Sequence, residues 1–131
     1  MPIISWSDSY SVNVPKIDAQ HKKLFVLIND LHEAMSQGKG KDALGAILDG
    51  LLDYTRVHFA DEEKMLAKVN YPDLPAQKAE HAAFILKISE LQTDFRAGKA
   101  AMTMPVMAFL KDWLVNHILK NDKKYAPFMK D

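Results

Sequence analysis

The chain of 131 residues contains no cysteine, and this absence excludes several kinds of chemistry. Disulfides, thiolate metal sites and cysteine nucleophiles all require a cysteine side chain. An excess of charge of one sign is also missing, because 17 lysines and arginines are matched by 17 aspartates and glutamates. A chain without net charge has no strong field to attract a polyanion, so we expect no nucleic-acid partner.

Long apolar runs are absent as well. No stretch approaches the roughly 20 apolar residues that cross a bilayer. The first residues, MPIISWSDSYSV, lack the basic region and apolar core of a signal peptide. We therefore predict a cytoplasmic protein without membrane insertion. Hydrophobic residues make up 48% of the sequence, which is typical of a globular protein, and the length suits one domain over 1–131.

Glycine and proline are sparse, and the long intervals between them carry helical periodicity. The pattern predicts helices over about 18–37, 42–68, 74–97 and 103–121. Asp18 is the expected N-cap of the first helix, and Pro75 and Pro105 suit the first turns of the third and fourth. Short connections between four helices favour an all-α, antiparallel up-down-up-down bundle. The first 16 residues are expected to form an extended arm anchored by Trp6 and Tyr10.

Four histidines continue the apolar faces of these helices at steps of three and four residues. In an antiparallel bundle, the starts of the first and third helices share one end with the ends of the second and fourth. His21, His58, His81 and His117 all lie near those termini, so we expect them to converge at one level. Glu62 follows His58 by one turn and faces the same way.

A single inward histidine is more often a hydrogen-bonded core residue than a metal ligand. Four histidines and Glu62 at one level change this balance, because burying several ionisable groups without partners costs several kcal/mol. A histidine-rich site without thiolates suits iron, copper, zinc or nickel. A second carboxylate near His117 indicates two metals. Ideal helical geometry favours Asn121 as the inward residue, but Asp122 is chemically the better bridge between two cations.

His32 lies on the inner side of the first helix, but 11 residues after His21. The helical rise of 1.5 Å per residue separates the two by about 16 Å. No other histidine reaches that level. We interpret His32 as a structural residue with a local hydrogen bond.

Five motifs distributed along nearly the whole chain resemble those of the hemerythrins, in particular their single-domain bacterial form. They are W-x3-YSV from Trp6 to Val12, IDAQHKKL, YTRVHFADEE, YPDLP followed by EH, and NHILKND. The resemblance implies a non-haem di-iron centre, oxo- or hydroxo-bridged, that binds O2. His21 and His58 would hold one iron and His81 and His117 the other, with the carboxylates of Glu62 and Asp122 as bridges.

One position departs from the family pattern. Gln77 stands four residues before His81, where the family has a further histidine ligand. A glutamine can offer a carbonyl oxygen to a metal, although it is a weaker ligand than imidazole. Gln77 is therefore included among the candidate metal-site residues, as a position at which the iron site is expected to be altered.

The expected function is O2 carriage, storage or delivery by a protein that is not an enzyme, with an O2-consuming recipient that the sequence does not identify. The alternatives are a di-iron oxidase or peroxidase and an O2 sensor. The chain contains no Glu-x-x-His motif of the bundle di-iron enzymes, which favours carriage. Leu114 is expected to wall the O2 pocket, bordered by Trp113, Phe25 and Thr55, because each lies about one turn inward from a histidine.

Overall fold

The computed structural model describes residues 3–38, 41–98 and 104–129, and four long helices make up most of it. No strand occurs within these ranges, and the predicted all-α bundle is confirmed. The helices are α1 (Pro15–Ser36), α2 (Lys41–Lys68), α3 (Leu74–Arg96) and α4 (Met104–Asn116), followed by a π-helical turn (His117–Asp122), the short helix α5 (Lys123–Tyr125) and a 3-10 turn (Ala126–Met129).

The beginning of α1 differs from the prediction. Pro15 occupies the first turn, where its missing N–H costs nothing, and Val14 is the N-cap residue. Asp18 is not the N-cap. Its carboxylate instead accepts hydrogen bonds from the Val12 N–H at 2.9 Å and the Ser11 hydroxyl at 2.6 Å. Asp18 therefore stabilises the segment that leads into α1 and does not cap the free N–H groups of the helix.

The N-terminal arm contains a short 3-10 turn (Asp8–Tyr10) and packs along the bundle. The rings of Trp6 and Tyr10 lie 5.6 and 5.2 Å from the ring of Phe25 in α1. The side chain of Asn29 also accepts a hydrogen bond from the Ile4 N–H at 3.1 Å and donates one to the Ile4 carbonyl at 2.8 Å. The predicted role of Trp6 and Tyr10 as anchors is confirmed.

Glycine ends two of the helices as their sequence suggests. Gly38 after α1 and Gly98 after α3 have φ angles of 71° and 77°, in the left-handed region that glycine enters without a steric penalty. The predicted boundary at residue 103 lies outside the described residues. At its other end the fourth helical segment runs beyond the predicted limit near residue 121, because a π-helical turn and α5 continue it to Tyr125.

Two apolar clusters lie on either side of a polar layer. The larger cluster fills the bundle interior and includes Leu31, Leu48, Ile88 and Leu110, each with 0% exposure. The smaller one closes the end where the arm, the α2–α3 connection and α5 meet; its buried members are Val12, Val14, Ile17, Leu66, Tyr71 and Tyr125. The buried histidines and carboxylates stand between these clusters, so the fold screens them from water on both sides.

Candidate metal centre

Residues from all four helical segments converge in the polar layer. His21 comes from α1, His58 and Glu62 from α2, Gln77 and His81 from α3, and His117 and Asp122 from the π-helical turn; their relative exposures range from 0 to 4%. The periodicity of each helix places its residues inward, and the antiparallel arrangement places them at one level. The structure thus brings together all seven residues that the sequence suggested for a metal site.

The π-helical turn explains how Asp122 faces the same interior as His117. In an α-helix the residue at i+4 returns to the same face, which would have selected Asn121. The turn at His117–Asp122 is wider, with i→i+5 hydrogen bonding, and it brings the residue at i+5 inward instead. Asp122 has 0% exposure, whereas Asn121 is half-buried.

The carboxylate of Glu62 lies between two pairs of histidines. Its Oε1 is 2.9 Å from His81 Nε2. Its Oε2 is 3.6 Å from His21 Nε2 and 3.5 Å from His58 Nε2. One oxygen of this carboxylate therefore lies near the pair His21 and His58, and the other lies near His81, which pairs with His117.

Asp122 has the same arrangement from the opposite direction. Its Oδ1 is 3.1 Å from His117 Nε2, and its Oδ2 is 3.1 Å from His21 Nε2. Two groups of donor atoms result, each compact enough to surround one metal ion: Glu62, His81, His117 and Asp122 in one, and His21, His58 and Glu62 in the other. Glu62 belongs to both groups, and Oδ2 of Asp122 also lies near His21 of the second group, so the geometry suits a dinuclear site.

Unpaired buried atoms support occupancy by a cation. Nδ1 and Nε2 of His21 and Oδ2 of Asp122 have no hydrogen-bond partner among the described residues. His21 Nε2 and Asp122 Oδ2 are close to each other but are not aligned for a hydrogen bond. A buried polar atom without a partner costs free energy. A metal ion between two such lone pairs would satisfy both atoms. The residues of the layer therefore fit a bound metal ion.

The charges of the site reinforce one another. Burial lowers the pKa of His21, but the adjacent carboxylates of Asp122 and Glu62 outweigh burial and raise that pKa to about 9. Burial raises the pKa of Glu62, but the adjacent imidazoles of His21 and His81 outweigh burial and hold that pKa well below its ordinary value. The pKa of Asp122 is lowered in spite of burial and the nearby Glu62, chiefly by His117 and His21. Both carboxylates therefore favour the anionic form, and positive charge beside them would stabilise these buried anions.

Two residues that the sequence analysis missed orient His58 and His81 through their Nδ1 atoms. Nδ1 of His58 lies 2.7 Å from Gln20 Oε1, and Nδ1 of His81 lies 2.8 Å from Glu63 Oε2. Because both partners are acceptors, each Nδ1 carries the proton and each Nε2 keeps its lone pair for the centre. Gln20 and Glu63 adjoin His21 and Glu62 in sequence, off the inward stripe, so periodicity gave no reason to choose them.

Tyr125 was also missed. Its hydroxyl donates a 2.7 Å hydrogen bond to Glu62 Oε2, and its side chain is fully buried. Burial, reinforced by Asp122 and Glu62, raises the pKa of this phenol, so it stays protonated and remains a donor. The predicted end of the fourth helix preceded Tyr125, and without the π-helical turn nothing in the sequence places it beneath Glu62.

Aromatic rings cover one histidine pair on the side of the larger core. The ring of Phe59 stacks on His81, with centroids 3.8 Å apart and planes 4° from parallel. Trp113 stacks on His117 at 4.5 Å and on Phe84 at 3.8 Å. These contacts fix the two imidazole planes and exclude water from that side of the layer. Phe59 was not singled out by the sequence, since it follows His58 directly and lies off its stripe.

The residues predicted to border an O2 pocket lie in the same part of the bundle. Leu114, Phe25 and Thr55 are buried with 3%, 3% and 1% exposure. The hydroxyl of Thr55 donates to the Leu51 carbonyl at 2.6 Å, so the polar atom of that side chain is engaged with its own helix. Trp113 is half-buried against His117. The role of these four residues in O2 binding stays a prediction.

His32 is separate from the metal centre. It is half-buried and belongs to neither group of donor atoms. The local hydrogen bond that we expected for its ring is not found within the described residues. A half-buried imidazole reaches water, which removes the need for a protein partner.

Comparison with known proteins gives one consistent result. Residues 12–129 match the family model described as hemerythrin HHE cation binding domain. A bacteriohemerythrin of Methylococcus capsulatus is 39% identical over 128 residues, covering 97% of both chains. A hemerythrin-like protein of Naegleria gruberi is 37% identical over 121 residues, covering 92% of this chain and 89% of that one.

Solved structures agree with the sequence relatives. A wild-type hemerythrin superposes with a TM-score of 0.93 at 38% identity, covering 98% of this chain and 99% of that chain. A point mutant of hemerythrin gives a TM-score of 0.95 at 37% identity over the full length of both chains.

Proposed function

The chain belongs to the hemerythrin family, and on that premise we propose how its metal centre serves the function of a non-haem di-iron O2-binding protein. Hemerythrins are generally oxygen carriers rather than enzymes, and O2 carriage, storage or delivery is the use that we propose for this one. His21 and His58 would hold one iron and His81 and His117 the other. The oxo- or hydroxo-bridged form of the iron pair belongs to the same proposal.

One observation carries this assignment above the others. Glu62 and Asp122 each direct one carboxylate oxygen to each of the two groups of histidines. These oxygens lie 2.9 to 3.6 Å from histidine Nε2 atoms. A mononuclear site needs only three or four ligands and would leave the remaining buried groups without a partner. Two cations bridged by two carboxylates use all of them.

Two iron ions bound here would supply the change of oxidation state and the coordination position that O2 needs. The protein contributes orientation, hydrogen bonding and a dry environment. Gln20 and Glu63 hold the Nδ1 protons of His58 and His81, which keeps each Nε2 directed at the centre. Tyr125 donates to Glu62 and so restrains the rotation of that carboxylate.

Exclusion of water is the second contribution of the chain. Trp113 and Phe59 cover the His117 and His81 imidazoles, and Leu114 fills the adjacent interior with 3% exposure. An apolar wall slows the arrival of protons and water at bound O2, and we propose that Leu114, Trp113, Phe25 and Thr55 border this space. Slow access would favour the release of O2 over its reduction.

Reversible O2 binding is tested on the iron-loaded protein. The protein is reduced anaerobically and titrated with O2, and the visible absorption is followed. We expect a saturable change that disappears when O2 is removed and returns when O2 is added again. Permanent oxidation in the first cycle would contradict carriage. A protein with fewer than two irons per chain would contradict the dinuclear assignment itself.

A redox role is the second candidate, and Gln77 is the observation that favours it. An amide stands where a further imidazole would bind iron in the family pattern, and loss of a ligand weakens iron binding and opens a position for exchange. Substitution of residues that only hydrogen-bond to metal ligands already costs about 10- to 100-fold in metal affinity or activity. Gln77→His should therefore raise iron affinity by at least about that much and lengthen the lifetime of the O2 complex. Equal values in the two proteins would remove position 77 from the ligand set.

The remaining assignments concern the context of the protein. No helix in the described part of the chain is long and apolar enough to cross a membrane. A cytoplasmic location, an O2-consuming recipient and a single functional unit over 1–131 stay predictions. Sensing of O2 is a further alternative that no feature of the described residues favours.

A further inference from the structure

Gln77 donates hydrogen bonds to one of the two groups of donor atoms. Its side chain is 3% exposed, and its Nε2 lies 3.2 Å from Glu62 Oε1 and 3.4 Å from His117 Nε2. The same nitrogen donates a short hydrogen bond to Asp122 Oδ1. An amide nitrogen carries two N–H bonds, and the two carboxylate oxygens accept both of them. We call Glu62, His81, His117 and Asp122 the amide-bonded group.

The other group, His21, His58 and Glu62, contains atoms without a partner, and we call it the unpaired group. Nδ1 and Nε2 of His21, and Oδ2 of Asp122 beside them, are buried and have no hydrogen-bond partner among the described residues. Tyr125 donates to Glu62 Oε2 at 2.7 Å, but a carboxylate oxygen has two lone pairs, so one of them remains for a metal. The hydrogen-bonding needs of the two groups are therefore met to different extents.

This difference changes the free energy of metal binding at each group. A metal ion at the unpaired group supplies a partner to buried atoms, which removes the cost of leaving them unpaired. A metal ion at the amide-bonded group needs Glu62 Oε1 and Asp122 Oδ1, to which Gln77 already directs its N–H groups. These N–H groups carry partial positive charge and repel a cation at the same oxygens. The amide must turn or withdraw before the metal binds there.

A surface cleft gives the amide of Gln77 a place to withdraw to. The cleft has a volume of about 90 Å³, and its lining is Tyr71, Asp73, Ala76, Gln77, Asn121 and Lys124. A cavity needs about 10–15 Å³ of such volume to hold one water molecule, so the cleft has room for water. Water there can satisfy the withdrawn amide. Displacement of Gln77 from the metal layer therefore costs its two charge-assisted hydrogen bonds and does not leave the amide unpaired.

We propose that Gln77 makes the two metal positions fill in a fixed order, the unpaired group first and the amide-bonded group second, so that the dinuclear centre assembles only when iron is abundant. The inference rests on the proposed di-iron function and gives it a dependence on iron supply. When iron is scarce, the chain holds one iron, and Gln77 stays bonded to Glu62 and Asp122. O2 binding by the iron pair then requires the second iron.

Anaerobic titration with Fe²⁺, followed by calorimetry, measures the two affinities. Repulsion between two cations separates the steps in any dinuclear site, so Gln77→Ala is used to isolate the contribution of the amide: it removes both N–H donors and supplies no ligand. We expect the second affinity to rise at least about tenfold in Gln77→Ala and the first to stay unchanged, because the lost hydrogen bonds had ionised acceptors.

Gln92→Ala is the matched control. It also removes an amide that donates to an aspartate, Asp49, but Gln92 lies 11 residues after His81, about 16 Å along α3. It should change neither affinity.

The outcomes of this titration separate the inference from the di-iron function. A weaker second affinity in Gln77→Ala would make Gln77 a metal ligand and overturn the inference, and an unchanged second affinity would overturn it as well. Two Fe²⁺ bound with equal affinity by the unsubstituted protein would also overturn it, but would leave the di-iron function intact. Uptake of a single Fe²⁺ at saturation would instead contradict the di-iron function.

The order of filling is measured on the unsubstituted protein, which keeps the test valid even if Gln77→Ala fails to fold. Zn²⁺ has a filled d shell and is diamagnetic, so nuclear magnetic resonance follows the imidazole rings and the Gln77 side-chain amide through a Zn²⁺ titration. We expect the first equivalent to shift mainly the signals of His21 and His58. The second should shift those of His81, His117 and the Gln77 amide. The reverse order, or a simultaneous change of all these signals, would overturn the inference.

Discussion

The two ends of the bundle bury very different side chains. At the end formed by the start of α1 and the π-helical turn, the interior contains histidines and carboxylates. At the other end, the buried side chains of the described residues are apolar and include Leu31, Leu48, Ile88 and Phe95. Eight polar or charged residues are buried in the described part of the chain, and seven of them belong to the polar layer, Thr55 being the exception. Apart from Thr55, polar burial in these residues is therefore concentrated in one layer rather than spread over the fold.

This difference separates stability from binding. Burial of apolar side chains stabilises the distal end whether or not a metal is present. The metal end places two anionic carboxylates at 0% exposure, which costs free energy unless a cation compensates them. Metal binding should therefore contribute to the stability of one end in particular. The predictions below change one end at a time.

The largest effect is expected from Glu62→Gln. The substitution keeps the volume of the side chain but removes the negative charge and one of the two oxygens through which Glu62 would bridge the irons, so Asp122 would remain as the single bridging carboxylate. We expect the chain to hold fewer than two irons, with affinity for the second weakened by at least about 100-fold, since even changes behind the ligands cost about 10- to 100-fold. Iron per chain is measured after dialysis, with the exposed Glu90→Gln as control. Two tightly held irons in both variants would show that Glu62 is not a bridge.

Leu48→Ala tests the opposite end. Leu48 has 0% exposure in the larger core. Removing a buried leucine side chain leaves a cavity and lowers the free energy of unfolding by about 2–5 kcal/mol. Denaturant unfolding of the metal-free protein gives this loss, and iron per chain in the loaded variant should stay equal to that of the parent. A proportionate loss of iron would show that the two ends are coupled, contrary to the division drawn here.

The features that the sequence predicts are those that follow a helical period. Apolar steps of three and four residues locate the four helices, and the same steps place His58 and Glu62 on the inner face. The π-helical turn breaks that period, so Asp122 could be chosen over Asn121 only from the chemistry of a carboxylate and from family resemblance. Gln20 and Tyr125 contact the centre from outside the stripe and beyond the predicted helix end. Their contacts depend on how the helices pack against one another. The periodicity of apolar residues within one helix does not predict that packing.

A smaller effect is expected at the boundary between the two regions. Leu114 lies three residues before His117, and Leu110 lies one further turn into the apolar core; their exposures are 3% and 0%. Both alanine substitutions remove the same side chain, but only Leu114→Ala should admit water and protons to the O2 space. We therefore expect faster autoxidation of the O2 complex in Leu114→Ala than in Leu110→Ala, followed by visible absorption. Equal rates would remove Leu114 from the wall.

The smallest effect is expected from His32→Ala, which should leave iron per chain unchanged. His32 is about 16 Å along α1 from His21 by helical rise, and it lies outside both groups of donor atoms. It is also half-buried, so its removal leaves no buried partner unsatisfied. His21→Ala provides the contrast, since it deletes the imidazole that faces both carboxylates and should lower the iron content. If His32→Ala lost iron to the same extent, imidazoles at both levels of α1 would serve the metal, and the confinement of binding to one end of the bundle would be wrong.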